Sequence, residues 1–203
     1  PLLVAAILNN LDMVRYFAGE AHADVNQART DDGSTPLSTA AEIGNLDMVR
    51  YLVSEAHADV NQARDDGRTP LYVAAWNGNL DMVRYLAGEG HADVNLGRTG
   101  DGTTPLYIAT VKGNLDVVRC LAGEAHADVN QARTDDGVTP LFIAANQGNL
   151  DMVRYLAGEA HANVNQARTN DGATPLYIAA QIDNLDVVRY LAGEGPGDVN
   201  PAR

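Results

Sequence analysis

Cysteine is almost missing from this chain, because Cys120 is the only one among 203 residues. No internal disulfide can form, which favours a reducing compartment. Apolar runs are also short, and none reaches the roughly 18 residues of a membrane-spanning helix. The chain shows no basic-then-apolar leader, although it enters a repeat at Pro1 and resembles a trimmed piece. These absences predict an intracellular, cytoplasmic protein without a membrane partner.

Basic residues and serine are scarce as well. Fourteen Lys and Arg stand against 27 Asp and Glu, a formal charge of −13. Such a surface repels phosphate backbones, so nucleic-acid binding is disfavoured. Serine occurs only as Ser34, Ser38 and Ser54, with no nucleophile elbow around them, and no glycine-rich phosphate loop is present. We therefore expect neither an enzyme nor a bound cofactor.

What the chain has in abundance is repetition. A Pro-Leu pair recurs at residues 1, 36, 70, 105, 140 and 175, in steps of 35, 34, 35, 35 and 35. Self-similarity with a period between about 20 and 50 residues is typical of a stacked-repeat solenoid. Such a chain forms one elongated domain in which each unit contacts its neighbours.

One unit predicts two short helices and a finger-like loop. Thr104 is a helix cap before Pro105, and Gly113-Asn114 ends that first helix. A second helix starts at Leu115, and Asp135-Asp136-Gly137 is a turn signal. Neither helix exceeds about a dozen residues, so each needs a neighbouring unit for stability.

These residues resemble the ankyrin repeat, whose signature includes T-P-L-H-x-A and a length of about 33 residues. The resemblance covers the whole chain and implies an all-α ankyrin-repeat solenoid, one domain over residues 1–203. Its units run over about 1–30, 31–64, 65–99, 100–134, 135–169 and 170–203. Three features of this chain differ from the usual ankyrin repeat. Ser38, Tyr72, Tyr107, Phe142 and Tyr177 replace its histidine, most second helices carry one extra residue, and Thr30, Thr99, Thr134 and Thr169 lengthen the fingers.

All five histidines fall at one phase of the repeat: His22, His57, His91, His126 and His161. A metal ladder is one interpretation. However, units stack roughly 8–10 Å apart, whereas zinc needs its ligand nitrogens at about 2 Å. The favoured alternative is a left-handed residue where the family places its helix-ending glycine. Cys120 takes the place of a tyrosine found in the other units, and we interpret it as a small, half-buried filler rather than a reactive thiol.

Comparison between the copies identifies two variable sites. One follows the turn glycine, and the other is the residue pair after the alanines of the first helix. In proteins that resemble this one, these positions line a concave groove where partners dock. The candidate partner-binding residues are Ser34, Glu42, Ile43, Arg68, Trp76, Asn77, Thr103, Val111, Lys112, Val138, Asn146, Gln147, Ala173 and Gln181. Simple solvent exposure could also explain the variation.

The resulting hypothesis is a non-catalytic protein–protein interaction module, with Trp76 as the main anchor. Finger acids such as Asp66 and Asp136 predict a partner with a basic rim. One alternative is a structural spacer or a self-associating rod, because the apolar opening Pro1-Leu2-Leu3-Val4 favours weak end-to-end contact. Another alternative is an engineered repeat binder, suggested by the near-identity of the copies.

Overall fold

The computed structural model describes residues 1–194, and all regular elements there are helices, in six stacked units. This confirms the all-α repeat architecture. The first helices of the units span Leu2–Ile7, Pro36–Ile43, Pro70–Asn77, Pro105–Val111, Pro140–Asn146 and Pro175–Gln181. Every helix in this part of the chain is too short or too polar to cross a membrane.

The boundaries of the first helices follow from capping. The hydroxyl of Thr104 accepts a hydrogen bond from the Tyr107 backbone N–H at 3.1 Å, and Pro105 needs no N–H partner in the first turn. Behind the helix, Gly113 has a φ of +72°, a conformation in which glycine carries no steric cost. In the last unit Asp183 takes this place, with a φ of +59°.

An asparagine precedes every second helix, and in all described units except the fourth its side chain caps the helix. In unit two, Asn45 Oδ1 accepts from the Met48 N–H at 2.9 Å. The α-helical parts span Leu11–Arg15, Leu46–Arg50, Leu80–Ala87, Leu115–Arg119, Leu150–Arg154 and Leu185–Arg189. A π-helical turn then follows in all units except the third, over Tyr16–Glu20, Tyr51–Glu55, Cys120–Glu124, Tyr155–Glu159 and Tyr190–Glu194. This wider turn absorbs the extra residue of the second helix.

A continuous hydrophobic core runs through the stack. First helices pack on the first helices of adjacent units. Their contact positions are alanines with no exposed area, such as Ala74, Ala109 and Ala144, so the backbones approach closely. Leucines of the second helices, including Leu86 and Leu121, fill the layer beneath them. Each unit therefore buries its apolar side against its neighbours, as a solenoid requires.

The fingers stack through their backbones. Asp65 N–H donates to the Asp32 carbonyl at 3.1 Å, and Thr169 N–H donates to the Asp136 carbonyl at 2.8 Å. At the tip Gly137 has a φ of +73°, and a Cβ there would lie 2.7 Å from the Thr169 nitrogen. The Asp-Asp-Gly turn thus combines a left-handed residue with close backbone contact between units.

Candidate functional site

A row of side chains follows the ends of the first helices in units two to six, and we call it the helix-end strip. Its members are Glu42, Ile43, Trp76, Asn77, Val111, Lys112, Asn146, Gln147, Gln181 and Ile182. All are exposed except Val111, which is half-buried. Three large apolar side chains stand out, because Ile43, Trp76 and Ile182 are 45%, 40% and 41% exposed.

Contacts between neighbouring units make the strip continuous. Asn77 Nδ2 lies 3.5 Å from the Glu42 carbonyl oxygen, and Gln147 Nε2 donates to the Val111 carbonyl at 2.8 Å. Towards unit six, the Ile182 side chain lies beside Gly148. The second variable site of the sequence therefore forms one surface rather than isolated patches.

Trp76, in unit three, is the aromatic side chain of this strip, and contacts on two sides hold its ring in place. Its ring centroid lies 6.3 Å from that of Tyr72, at an interplanar angle of 30°. Lys112 Nζ stands 3.7 Å from the Trp76 ring centroid, within the range of a cation–π interaction. A ring held on two sides loses little conformational freedom when a partner covers its remaining surface.

The residues after the turn glycines are placed differently from the sequence expectation. Ser34, Thr103, Val138 and Ala173 are only 4–5% exposed. Each donates its backbone N–H to the finger aspartate two residues earlier, as Val138 does to Asp136 Oδ1 at 3.0 Å. Arg68 is half-buried and pairs with Asp66. The side chains of the four buried residues therefore offer almost no surface to a partner.

The finger acids are paired within the molecule. Asp66 Oδ2 lies 2.6 Å from Arg68 Nη2, and Asp101 Oδ2 lies 2.6 Å from Arg98 Nη2. Arg133 pairs with both Asp135 and Asp136, and its pKa is raised by the hydrogen bond to Asp135. The hydrogen bond from Arg168 lowers the pKa of Asp171 to about 2. Local ion pairs thus neutralise much of the charge that the sequence presents at the fingers.

The five histidines adopt the left-handed conformation that the sequence favoured, with φ between +50° and +58°. All five are exposed at the ends of the second helices. Across residues 1–194, no cluster of three or more histidine, cysteine or acidic side chains is arranged to hold a metal ion. Cys120 is fully buried rather than half-buried, at 2% exposure.

Stacked helix pairs with backbone-linked fingers define a repeat solenoid. A family model described as ankyrin repeats in three copies matches residues 2–98, 56–133, 90–167 and 125–202. The chain therefore belongs to the ankyrin-repeat family. The solved structure of EF0377, an ankyrin repeat protein, is similar with a TM-score of 0.85 and 25% identity, over 95% of this chain and 96% of that one. No curated protein matches this chain significantly.

Proposed function

We propose that this protein is a non-catalytic module that binds a partner protein along the helix-end strip. Ankyrin repeats are generally protein–protein interaction modules, and this fold is typically non-catalytic. The observation that carries the proposal is a continuous row of mostly exposed side chains that includes the partly exposed aromatic ring of Trp76 in unit three. In proteins of this family the fingers and this part of the first helices are where partners are expected to dock, and the proposal follows that expectation.

The dimensions of the strip suit a protein interface. Neighbouring units stack roughly 8–10 Å apart, so five units extend over roughly 40 Å. A standard interface buries about 800 Å² on each partner. Tryptophan is enriched among the residues that dominate binding energy, especially near the centre of an interface. Trp76 is partly exposed, and the Tyr72 ring supports its own ring.

In this proposal the partner carries basic residues at the rim of the interface, and the negative charge of this protein attracts them from a distance. The net charge of −13 attracts a basic protein before contact. At contact, acids such as Asp66 and Asp136 already pair with Arg68 and Arg133. Electrostatics should therefore change the association rate and its salt dependence more than the final affinity.

Trp76→Ala provides the direct test, with Arg119→Ala as its matched control. Arg119 is exposed on a second helix and lies over the Tyr155 ring, away from the strip. We expect the wild type and Arg119→Ala to capture the same proteins from the source cells. Trp76→Ala should fail to capture them. For the purified partner, calorimetry should show about 30-fold weaker binding, which corresponds to about 2 kcal/mol.

The opposite pattern would contradict the proposal. If Trp76→Ala binds normally with unchanged helicity while Arg119→Ala abolishes binding, the partner uses the second helices instead. Circular dichroism of both variants separates a binding defect from a folding defect, because neither change removes a fully buried side chain.

A structural rod that associates end to end is the second candidate. Its support is that both end faces expose large apolar side chains. Val4 in unit one is 55% exposed, whereas the equivalent Val73 is 4% exposed, and Tyr177 in unit six is 58% exposed. The equivalent Tyr72 is 2% exposed, because the next unit covers it.

A further inference from the structure

A ladder of tyrosines joins the second helices on the side of the stack away from the helix-end strip. Each hydroxyl lies within hydrogen-bond distance of an arginine carbonyl in the preceding unit. The distances are 3.3 Å from Tyr51 to Arg15, 3.5 Å from Tyr85 to Arg50, 3.4 Å from Tyr155 to Arg119 and 3.4 Å from Tyr190 to Arg154. The guanidinium of the same arginine lies over the ring, 4.7–5.9 Å from its centroid.

A small residue of the preceding unit makes room for the hydroxyl end of the ring. A Cβ on Gly19 would lie 3.3 Å from the Tyr51 hydroxyl, and one on Gly123 would lie 3.1 Å from the Tyr155 hydroxyl. At the same position Ser54 Oγ stands 2.7 Å from the Tyr85 hydroxyl. The junctions therefore share one receptor for a phenol: a carbonyl acceptor, an arginine face and a small residue.

The junction between units three and four has this receptor but no ring of its own. Cys120 replaces the tyrosine there, and Arg84 and Gly88 stand at the sequence positions of the arginine and the small residue. The backbone differs at this junction, because the α-helix of unit three continues to Ala87 without a π-helical turn. A cavity of about 200 Å³ results, lined by Arg84, Ala87, Gly88, Cys120, Glu124 and Ala125. The Arg84 guanidinium turns to Glu124 instead, with hydrogen bonds of 3.0 and 3.2 Å.

We propose that this cavity, the phenol notch, binds a para-substituted phenol ring supplied from outside the chain. Its volume is sufficient, since an apolar protein cavity of about 150 Å³ binds benzene. The ligand hydroxyl donates to the Arg84 carbonyl, as the tyrosine hydroxyls do at the other junctions. Once released from Glu124, the guanidinium of Arg84 lies over the ring in the manner of Arg50 and Arg119.

The small side chain of Cys120 leaves room for a ligand in the notch, and its thiol takes no part in a reaction. Burial raises the pKa of its thiol, and Glu124 adds to that shift. The thiol therefore remains protonated at neutral pH and is a weak nucleophile. Recognition here is non-covalent, and it is independent of the helix-end strip, which lies on the first helices.

The experiment titrates ¹⁵N-labelled protein with p-cresol and follows the backbone amides by NMR. We expect saturable shifts at Gly88, Cys120 and Ala125. Toluene lacks the hydroxyl and should bind at least about threefold more weakly, in keeping with the loss of one hydrogen bond. Cys120→Tyr restores the residue of the other units, and it should raise the melting temperature and abolish the p-cresol shifts.

Two sources of the ring are distinguished by a parallel titration with N-acetyltyrosinamide. If it shifts the same amides, the notch accepts a tyrosine side chain of a polypeptide. If only p-cresol does so, the ligand is a free small phenol. The proposal is overturned if p-cresol shifts none of these amides, if Cys120→Tyr responds like the wild type, or if toluene binds as tightly as p-cresol.

Discussion

At the scale of single residues, the positions that vary between copies fall into an exposed group and a buried group. Ile43, Trp76 and Gln147 vary and are exposed, whereas Thr103 and Val138 vary and are buried. Both groups appear equally free in the sequence, because a buried position beside a turn tolerates several small side chains. Only the conformation of the backbone at the base of the finger shows whether such a side chain points to solvent, where a partner can contact it, or into the packed interior.

The ion pair between Arg168 and Asp171 gives a residue-scale prediction about pH. The pKa of Asp171 is about 2 in the folded protein because Arg168 donates a hydrogen bond to it. An unfolded aspartate has a pKa of about 3.9. The pair therefore stabilises the fold above pH 4, and this contribution is lost as the pH falls from about 4 to about 2.

Arg168→Gln should raise the pKa of Asp171 towards its ordinary value and reduce the loss of stability in this pH window. Carboxyl NMR titration measures the pKa, and urea unfolding at several pH values measures the stability. Arg154→Gln makes the same charge change beside the Tyr190 ring rather than a carboxylate. An unchanged Asp171 midpoint in Arg168→Gln would show that another group lowers this pKa.

At the scale of structural elements, the finger turn is the most constrained part of the unit. Gly137 and Gly172 have φ values of +73° and +74°. They differ in their surroundings, because a Cβ on Gly137 would meet the Thr169 backbone, whereas a Cβ on Gly172 would meet nothing within 4 Å. The pair therefore separates the effect of conformation from the effect of close contact.

Gly172→Ala should reduce the unfolding free energy by about 1–2 kcal/mol, the cost of a left-handed alanine. Gly137→Ala should cost about 1–3 kcal/mol more, since the added methyl group also pushes two fingers apart. Urea denaturation of both variants measures the difference. Equal losses of unfolding free energy in the two variants would mean that moving the two fingers apart costs no free energy.

The second helix shows how one extra residue is accommodated. In unit four, the Ala125 N–H donates to the Cys120 carbonyl at 2.9 Å, five residues back, which widens the last turn. In unit three the α-helix instead continues to Ala87, and Gly88 leaves helical geometry with φ −92° and ψ −93°. Both solutions end at a left-handed histidine, so the next finger starts in the same direction.

At the scale of the whole molecule, stability depends on position in the stack. Leu121 is fully buried between units, and Leu191 is nearly as buried in the last unit. Leu121→Ala should reduce the unfolding free energy by about 2–5 kcal/mol. Leu191→Ala should cost less in global denaturation, because a terminal unit can open without the rest. Equal losses in urea would contradict one-dimensional stacking.

The apolar end faces give a prediction about association of this chain. Contact between Val4 of one molecule and Tyr177 of another would cover positions that are buried in internal units, such as Val73 and Tyr72. Analytical ultracentrifugation should show weak self-association that increases with concentration. Tyr177→Glu should reduce it, while Trp76→Glu in the strip should not. A strictly monomeric chain at millimolar concentration would exclude the rod.

The sequence by itself determined the repeat, the helix boundaries and the left-handed histidines. Each depends on local physics: a recurring period, threonine and asparagine caps, and residues that tolerate positive φ. The tertiary structure decided which variable residues reach the surface and what surrounds the position at which Cys120 replaces a tyrosine. Tyr155 and Arg119, or Cys120 and Arg84, become neighbours only when units stack, because residues that meet across a junction are about 35 residues apart in the chain. The spacing of the repeated residues in the sequence determines how the units stack, whereas the direction and packing of the side chains determine which residues form the surface.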